Sequence, residues 1–168
     1  MQPSSTAICP GSFDPPTEGH INIIERASKI FDKVIVAVAV NSSKQGVLPL
    51  QERIDLLKTI FKGRPAIEID SFEDRLLVDY ARSKRAGVIL RGLRTIQDYE
   101  YEFQMALANK KLAPAIETIF MMTEADFSYL SSTLIREIVA LGGSGEGMLR
   151  PEVEARLKQR LKRKGKGS

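Results

Sequence analysis

Short apolar runs alternate with longer amphipathic stretches along the whole chain. The clearest run, KVIVAVAV at residues 33–40, is apolar on both faces, as a central strand of a parallel sheet must be. The alternation predicts strands over residues 6–10, 33–40, 67–70, 87–90 and 116–122. Helical periodicity predicts helices over residues 20–30, 50–61, 76–84, 96–112, 131–141 and 151–163, with a loop at 142–147 before the last.

Strands that alternate with helices predict an α/β fold built on a doubly wound, five-stranded parallel sheet. The sequence has no internal repeat and no low-complexity linker, so residues 1–168 are expected to form one domain with a basic, disordered tail at about 164–168. In such sheets a ligand binds beyond the carboxyl ends of the strands, where the strand order reverses. The loops that follow the strands are therefore where we expect the chemistry.

The composition is that of a soluble globular protein, with 43% hydrophobic and 27% charged residues in 168. No apolar run approaches the length of a membrane span, and the first five residues lack the basic start and apolar core of a signal peptide. The single cysteine, Cys9, lies in an apolar run and cannot form an internal disulfide. These features favour a cytoplasmic location.

The charge balance is basic, with a net charge of +4 and a pI of about 9.2. Part of that charge lies in residues 156–166, near the C-terminus. Basic segments of this kind bind nucleic acid in some proteins and are solvated helix ends in others. We favour a solvated helix end, and a non-enzymatic nucleic-acid-binding module is the alternative from a different class.

The loop after the first predicted strand reads PGSFDPPTEGH over residues 10–20 and ends on the only histidine, His20. Free backbone N–H groups and the positive end of a helix dipole make such a junction a site for anions. His20 could donate a hydrogen bond to a phosphate oxygen, and a phosphate would favour its charged form. The loop is neither a Walker A motif nor a dinucleotide fingerprint, because the glycine spacing differs from both. A helix cap is the ordinary alternative for this histidine.

Three later loops carry groups of the same kind. Lys44 follows the second strand, Arg91, Gly92 and Arg94 follow the fourth, and residues 127–133 open a helix after the fifth. Each has an ordinary explanation as a surface charge, an ion pair on the next helix turn, or a helix cap. Together they form a concentration of anion-binding groups with few acids expected to face them. A ligand with several phosphates is the simplest explanation.

The chemistry that these groups support is limited in kind. The single histidine has no identifiable serine partner for a Ser-His-Asp set, and no Cys/His cluster has metal-ligand spacing. The groups can still position substrates and stabilise charge in a transition state. These are the main requirements of phosphoryl or nucleotidyl transfer.

At these residues the sequence resembles the nucleotidylyltransferase superfamily. Residues 10–20 are similar to its T/HxGH signature, and SSTLIR at 131–136 is similar to its ISSTxIR signature. Within the superfamily the chain most closely resembles the bacterial phosphopantetheine adenylyltransferases. Three features carry this closer resemblance: Thr17, where most relatives have histidine, the segment 89–102, and a similarity that extends from about residue 7 to residue 161.

The resemblance implies a Rossmann-like nucleotidylyltransferase fold and an enzyme that transfers the adenylyl group of ATP to 4′-phosphopantetheine. The products would be dephospho-coenzyme A and pyrophosphate, in the penultimate step of coenzyme A synthesis. The family also implies a homohexamer, Mg²⁺ carried by the ATP phosphates and coenzyme A as a feedback ligand. Another nucleotidylyltransferase, of the nicotinamide mononucleotide or cytidylyl type, is the alternative, against which Thr17 and residues 91–102 argue.

The resemblance also implies roles for individual residues. His20 would stabilise the transition state at the α-phosphate, with Lys44 and Arg91 completing the catalytic set. Ser12, Lys44, Arg91 and Leu77 would bind phosphopantetheine, with Leu77 on the apolar wall of its arm. The residues implied for ATP are Ser12, Phe13, His20, Gly92, Leu93, Arg94, Glu102, Phe127, Ser128, Tyr129, Leu130, Ser131, Ser132 and Thr133. No residue is expected to ligate a metal directly.

Overall fold

A computed structural model describes the backbone of residues 5–40 and 46–164. Over these residues the chain forms a five-stranded, fully parallel sheet with helices on its faces, which confirms the predicted fold class. The strands are β1 (Thr6–Gly11), β2 (Lys33–Val40), β3 (Ile67–Glu73), β4 (Val88–Leu93) and β5 (Glu117–Met122). Their order across the sheet is β3-β2-β1-β4-β5.

The helices follow the strands in the predicted order. They are α1 (Glu18–Ala27), α2 (Leu50–Ile60), α3 (Leu77–Ser83), α4 (Ile96–Leu112), α5 (Ser132–Ala140) and α6 (Pro151–Lys164), with a short 3-10 turn at Ala125–Phe127. α1 begins two residues earlier than predicted, because the Thr17 hydroxyl caps it by accepting the backbone N–H of His20. It also ends earlier, at Ala27 rather than at residue 30.

The fourth strand differs most from its prediction. It was expected to end at residue 90, with Arg91 to Leu93 in the following loop. In the structure β4 continues to Leu93, since Arg91 and Gly92 pair with Phe120 and Met121 of β5. Backbone pairing with a parallel neighbour does not depend on side-chain polarity, so a charged residue that ends an apolar run need not end the strand.

The sheet is buried on both faces, which accounts for the apolar character of β2. Val34, Val36 and Val38 pack on one side among residues of α1 and α2. Ile35 and Ala37 pack on the other side with α3. A third apolar cluster joins α5 and α6 to Leu48 and Leu130 and so attaches the C-terminal helices to the sheet end that bears the loops.

The basic C-terminal helix α6 is amphipathic and packed. Val153 and Leu157 are fully buried in the third cluster. Arg156 and Arg160 both form ion pairs with Glu52 on α2, and these contacts lower the pKa of the Glu52 carboxyl. Part of the predicted basic segment is therefore paired within the fold. Among residues 5–40 and 46–164 there is no helix with the length and apolar character of a membrane span.

The strand order reverses at β1, and this positions the site. After β1 the chain proceeds to β2 and β3 on one side, and later returns to β4 and β5 on the other. A crevice is expected beyond the carboxyl ends of the two strands that flank this reversal, β1 and β4. Gly11 and Leu93 end these two strands.

Candidate active site

A cavity of about 410 Å³ opens at the carboxyl ends of β1 and β4. Four parts of the chain form its wall: the loop after β1, the first turn of α1, the end of β4 with the start of α4, and the start of α5. Its lining includes Cys9, Ser12, Phe13, Thr17, Gly19, His20, Ile23, Arg91, Gly92, Arg94, Asp98, Glu102, Thr123, Leu130, Ser131, Ser132, Thr133 and Arg136.

His20 is held from behind by the capping interactions of α1. The backbone N–H of Thr17 donates to His20 Nδ1 at 3.0 Å, and the Thr17 hydroxyl lies 3.1 Å from the same nitrogen. Since Nδ1 accepts a hydrogen bond, the proton of a neutral imidazole resides on Nε2. The ring also packs edge-on against Phe13, with centroids 5.0 Å apart. The sequence therefore fixes both the orientation and the tautomer of this histidine, leaving Nε2–H as the donor.

The surroundings of His20 favour its neutral form. Burial, followed by the charges of Arg94 and Arg91, lowers the pKa of the imidazole to about 4. A bound phosphate was expected to favour the charged form of His20. Burial and the two arginines act in the opposite direction and favour the neutral form. A neutral imidazole can still donate from Nε2, so the residue serves as a hydrogen-bond donor at neutral pH without carrying a charge.

The two arginines of the β4 segment are each paired with a carboxylate. Arg91 donates to both oxygens of Glu102, at 2.7 and 2.6 Å, and Arg94 donates to both oxygens of Asp98, at 2.9 and 3.0 Å. Both carboxylates line the cavity, so the few acids that face the site each neutralise one of its arginines. The first turns of α4 lie beside the end of β4 and bring the acids there. The bidentate pairs fix the guanidinium planes before any ligand binds.

Each arginine also donates a hydrogen bond to a backbone carbonyl of a residue that lines the cavity. Arg91 donates to the Pro10 carbonyl at 2.8 Å, and Arg94 donates to the Leu130 carbonyl at 2.7 Å. Burial lowers the pKa of Arg91, but its hydrogen bonds to Glu102 and the charge of that carboxylate raise the pKa overall above its usual value. Arg91 is therefore a permanent cation at the junction of β1, β4 and α4.

The N-terminus of α5 faces the same cavity. The Ser131 hydroxyl caps the helix by accepting the backbone N–H of Leu134 at 3.0 Å. The Ser132 hydroxyl donates to the Pro15 carbonyl at 2.9 Å, which links α5 to the first loop. Arg136, one turn further along, donates to the Thr133 hydroxyl and to the Asp14 carbonyl. This end of the cavity offers hydroxyls, a guanidinium and the positive end of a helix dipole.

A second cavity of about 270 Å³ adjoins the first. The two share Pro10, Gly11, Ser12, Arg91 and Glu102. Its other lining residues come mainly from α4, with additions from β2, β3, α3 and β5: Ala39, Phe72, Leu77, Tyr101, Met105, Ala106, Asn109 and Thr118. Asn109 is buried, and its carboxamide forms no hydrogen bond with any residue in the described part of the chain. The second cavity is thus a largely apolar pocket with one unpartnered amide.

Most of the residues that the sequence singled out converge on these two cavities. The first cavity brings together Ser12, Phe13, His20, Arg91, Gly92, Arg94, Glu102, Leu130, Ser131, Ser132 and Thr133, and the second contains Leu77. Neither cavity is lined by Leu93, Phe127, Ser128 or Tyr129. Lys44 lies outside the described residues.

Sequence reasoning did not assign Asp98, Arg136 or Asn109 to the site. Arg136 closes the SSTLIR segment, and that position was a usable signal. On α4, Asp98, Glu102, Met105 and Asn109 recur at helical spacing, which indicates one face of the helix. The sequence does not show which face of α4 meets the crevice.

The chain is similar to one family model and to known adenylyltransferases. The cytidylyltransferase-like family model matches residues 8–138. A phosphopantetheine adenylyltransferase from Carboxydothermus hydrogenoformans is 50% identical over 159 residues, covering 95% of this chain and 98% of that protein. One from Caldanaerobacter subterraneus is 51% identical over 157 residues, covering 94% of this chain and 98% of that protein.

A solved structure shares the fold at much lower identity. It is assigned as a nicotinate-nucleotide adenylyltransferase from Vibrio parahaemolyticus, with a TM-score of 0.70, 19% identity and 96% coverage of both chains. At this identity the likeness concerns the fold alone. The family match and the two relatives agree with the geometry of the crevice: the chain belongs to the cytidylyltransferase-like family and, within it, to the phosphopantetheine adenylyltransferases.

Proposed function

We propose that this protein reversibly transfers the adenylyl group of ATP to 4′-phosphopantetheine, giving dephospho-coenzyme A and pyrophosphate. The observation that carries the proposal is the pair of adjoining cavities. One is lined by three arginines, a histidine and a capped helix N-terminus, and the other is smaller and largely apolar. They meet at Ser12 and Arg91, where two phosphate-bearing substrates would come together.

The first cavity suits ATP. The α-phosphate would lie within reach of His20 Nε2, and the β- and γ-phosphates would lie at the α5 N-terminus among Ser131, Thr133 and Arg136. The backbone N–H of Phe13 would serve as a further donor. Leu93 and residues 127–129, which do not line the cavity, remain proposed contacts of the nucleotide.

The second cavity suits the acceptor. Its phosphate would bind at the shared wall, against the Ser12 hydroxyl and Arg91, while the arm would extend along Leu77 and Met105. The arm of phosphopantetheine contains amide groups, and the unpartnered carboxamide of Asn109 offers them a hydrogen-bonding partner. Lys44 remains proposed as a second cation for the acceptor phosphate.

The reaction needs no strong base. An ionised phosphate oxygen of the acceptor would attack the α-phosphorus in line, forming one P–O bond while the bond to the bridging oxygen breaks and pyrophosphate leaves with the electron pair. The enzyme's task is to align two anions and to stabilise charge on the non-bridging oxygens. His20 and Arg94 both line the first cavity, and we propose His20 Nε2–H and the Arg94 guanidinium as the donors for that task.

Magnesium fits this scheme as part of the nucleotide. Across residues 5–40 and 46–164, no three His, Cys, Asp or Glu side chains lie close enough to hold a metal ion. The two cavity acids, Asp98 and Glu102, are engaged by Arg94 and Arg91. We propose that Mg²⁺ is bound by phosphate oxygens of ATP and neutralises part of their charge.

We also propose a homohexamer, a cytoplasmic location and feedback by coenzyme A. Long apolar side chains are exposed along α4 and β5, among them Ile96, Tyr101, Leu107, Leu112 and Met122. A patch of this kind on a sheet edge and its covering helix is typical of a surface that is buried between subunits. Coenzyme A contains the same arm and nucleotide as the product, so it would compete for both cavities.

Pyrophosphate release from ATP tests the proposed function. The purified protein should release pyrophosphate with 4′-phosphopantetheine and remain near background with nicotinamide mononucleotide, and CTP should not replace ATP. Release with nicotinamide mononucleotide but not with phosphopantetheine would favour the other branch of the superfamily and overturn the proposal.

A further inference from the structure

Arg53 on α2 is a buried cation with no carboxylate partner among the described residues. The residue is 8% exposed, and its Nη1 donates to the Ser12 carbonyl at 2.8 Å. Its Nε is buried and has no hydrogen-bond partner among residues 5–40 and 46–164. Burying an unpaired guanidinium destabilises a fold, so a residue of this kind calls for a functional explanation.

The atom that Arg53 binds belongs to the first loop of the candidate active site. The Ser12 carbonyl and the Phe13 N–H are opposite ends of one peptide group, and in a planar trans peptide they point in opposite directions. The Phe13 N–H donates to no residue in the described part of the chain. By holding the carbonyl towards α2, Arg53 leaves that N–H directed away from α2 and available to a ligand.

Phe13 adopts a conformation that needs such support. Its φ of 48° lies in the left-handed region, which a bulky side chain rarely occupies. The carbonyls on either side are both bound by guanidinium groups: Ser12 by Arg53 and Asp14 by Arg136. With Arg91 on the Pro10 carbonyl, three arginines from three helices or strands bind alternate carbonyls of this loop. Each of these carbonyl oxygens, which would repel a phosphate, is thereby paired with a guanidinium charge.

We propose that Arg53 is a positioning residue for phosphate binding: it holds the Ser12–Phe13 peptide so that the Phe13 N–H faces the nucleotide phosphates. The ligand class is a polyphosphate anion, and its identity as ATP rests on the proposed function. Arg53 lines neither cavity, so it acts through the loop and not by touching the ligand.

The test compares Arg53→Met, Arg53→Lys and a control, Arg64→Met. Methionine removes charge and donor while filling similar space, and lysine keeps both. Arg64 is an exposed arginine just beyond α2 that pairs with Glu25. For Arg53→Met we expect kcat to fall roughly tenfold or more, as when one donor to a charged group is lost, with a melting temperature equal to or above that of the wild type. Arg53→Lys should recover most of kcat, and Arg64→Met should match the wild type.

Two results would overturn the inference. One is a kcat for Arg53→Met within twofold of the wild type. The other is a loss of kcat that parallels a lower melting temperature and that lysine does not restore, because Arg53 would then be a structural residue only.

A binding measurement separates this inference from the proposed function. If the wild type does not adenylylate phosphopantetheine, the proposed function fails, and calorimetric titration with ATP and with inorganic pyrophosphate then decides the role of Arg53. Binding roughly tenfold weaker in Arg53→Met than in the wild type and in Arg64→Met supports the inference. Equal affinity in all three proteins contradicts it.

Discussion

The two strands that flank β1 occupy equivalent places in the sheet but carry different kinds of residue. β2 is apolar on both faces, and Val34 to Val38 are buried without a polar side chain. β4 begins in the same way, with Ile89 and Leu90 fully buried, but continues into Arg91 and Gly92 at the crevice.

The difference follows from the strand order. β2 leads on to β3 within one continuous half of the sheet, whereas β4 lies across the point where the order reverses. Only at that point do two loops diverge and leave room for a ligand. Burial therefore determines the centre of β2, while the end of β4 combines strand pairing with the chemistry of a phosphate site.

We expect the largest effect from His20→Ala, which removes a hydrogen-bond donor at the crevice beyond β1 and β4. We expect kcat to fall by about three orders of magnitude, the effect of losing a donor to the transition state, while ATP affinity stays within a few fold. Steady-state kinetics and calorimetry measure the two quantities. Unchanged turnover would remove His20 from the mechanism.

Arg91→Ala should show the next largest effect. It removes the cation at the junction of the cavities and leaves the Glu102 carboxylate without its partner. We expect the KM for phosphopantetheine to rise by roughly two orders of magnitude, with a smaller change for ATP, since the proposed charged contact with the acceptor phosphate is lost. A selective loss of ATP binding would reverse the assignment of Arg91.

Ile35→Val in β2 should lower stability and leave turnover unchanged, the reverse of what we expect for the crevice residues. It removes one buried methylene group from a strand without catalytic residues, and should lower the free energy of unfolding by about 1 kcal/mol. Denaturant unfolding measures this loss, and kcat at 25 °C should stay within twofold of the wild type. A large fall in kcat without a loss of stability would show that β2 also contributes to the chemistry.

The smallest expected effect is the pH dependence of stability that His20 causes. Because burial, Arg94 and Arg91 lower the pKa of His20 to about 4, the unliganded ring should not titrate near pH 6.5. The unfolded chain binds this proton more readily than the native state, so His20 makes stability fall as the pH drops from about 6.5 towards 4. His20 is the only histidine, so its ring resonances in untagged protein report the titration directly. A midpoint near 6.5 would contradict the structure.

The sequence predicted best the elements whose local pattern is unbroken. The bounds of β2 and α4 match their predictions residue for residue, because an unbroken apolar run and a long helical segment leave no alternative. β4 was predicted too short, since Arg91 ends the apolar pattern while pairing with β5 continues.

The site was predictable in its residues more than in its contacts. Motif spacing pointed to the phosphate loop, His20 and the α5 N-terminus. Ion pairs of Arg91 and Arg94 with the next helix were treated as an alternative to a phosphate site, whereas the structure contains both the ion pairs and the cavity that they line. Nothing in the sequence indicated a role for Arg53, because a lone arginine in an amphipathic helix is ordinarily exposed. The packing of α2 against the first loop buries it.

A crystal structure with dephospho-coenzyme A is the sharpest test of the two-cavity assignment, because under the proposed function that product would span both cavities. We expect the adenylyl phosphate to lie within hydrogen-bond distance of His20 Nε2 and the pantetheine arm to extend along Leu77 towards Asn109. An arm that lies outside the second cavity, or a phosphate group distant from His20, would contradict it.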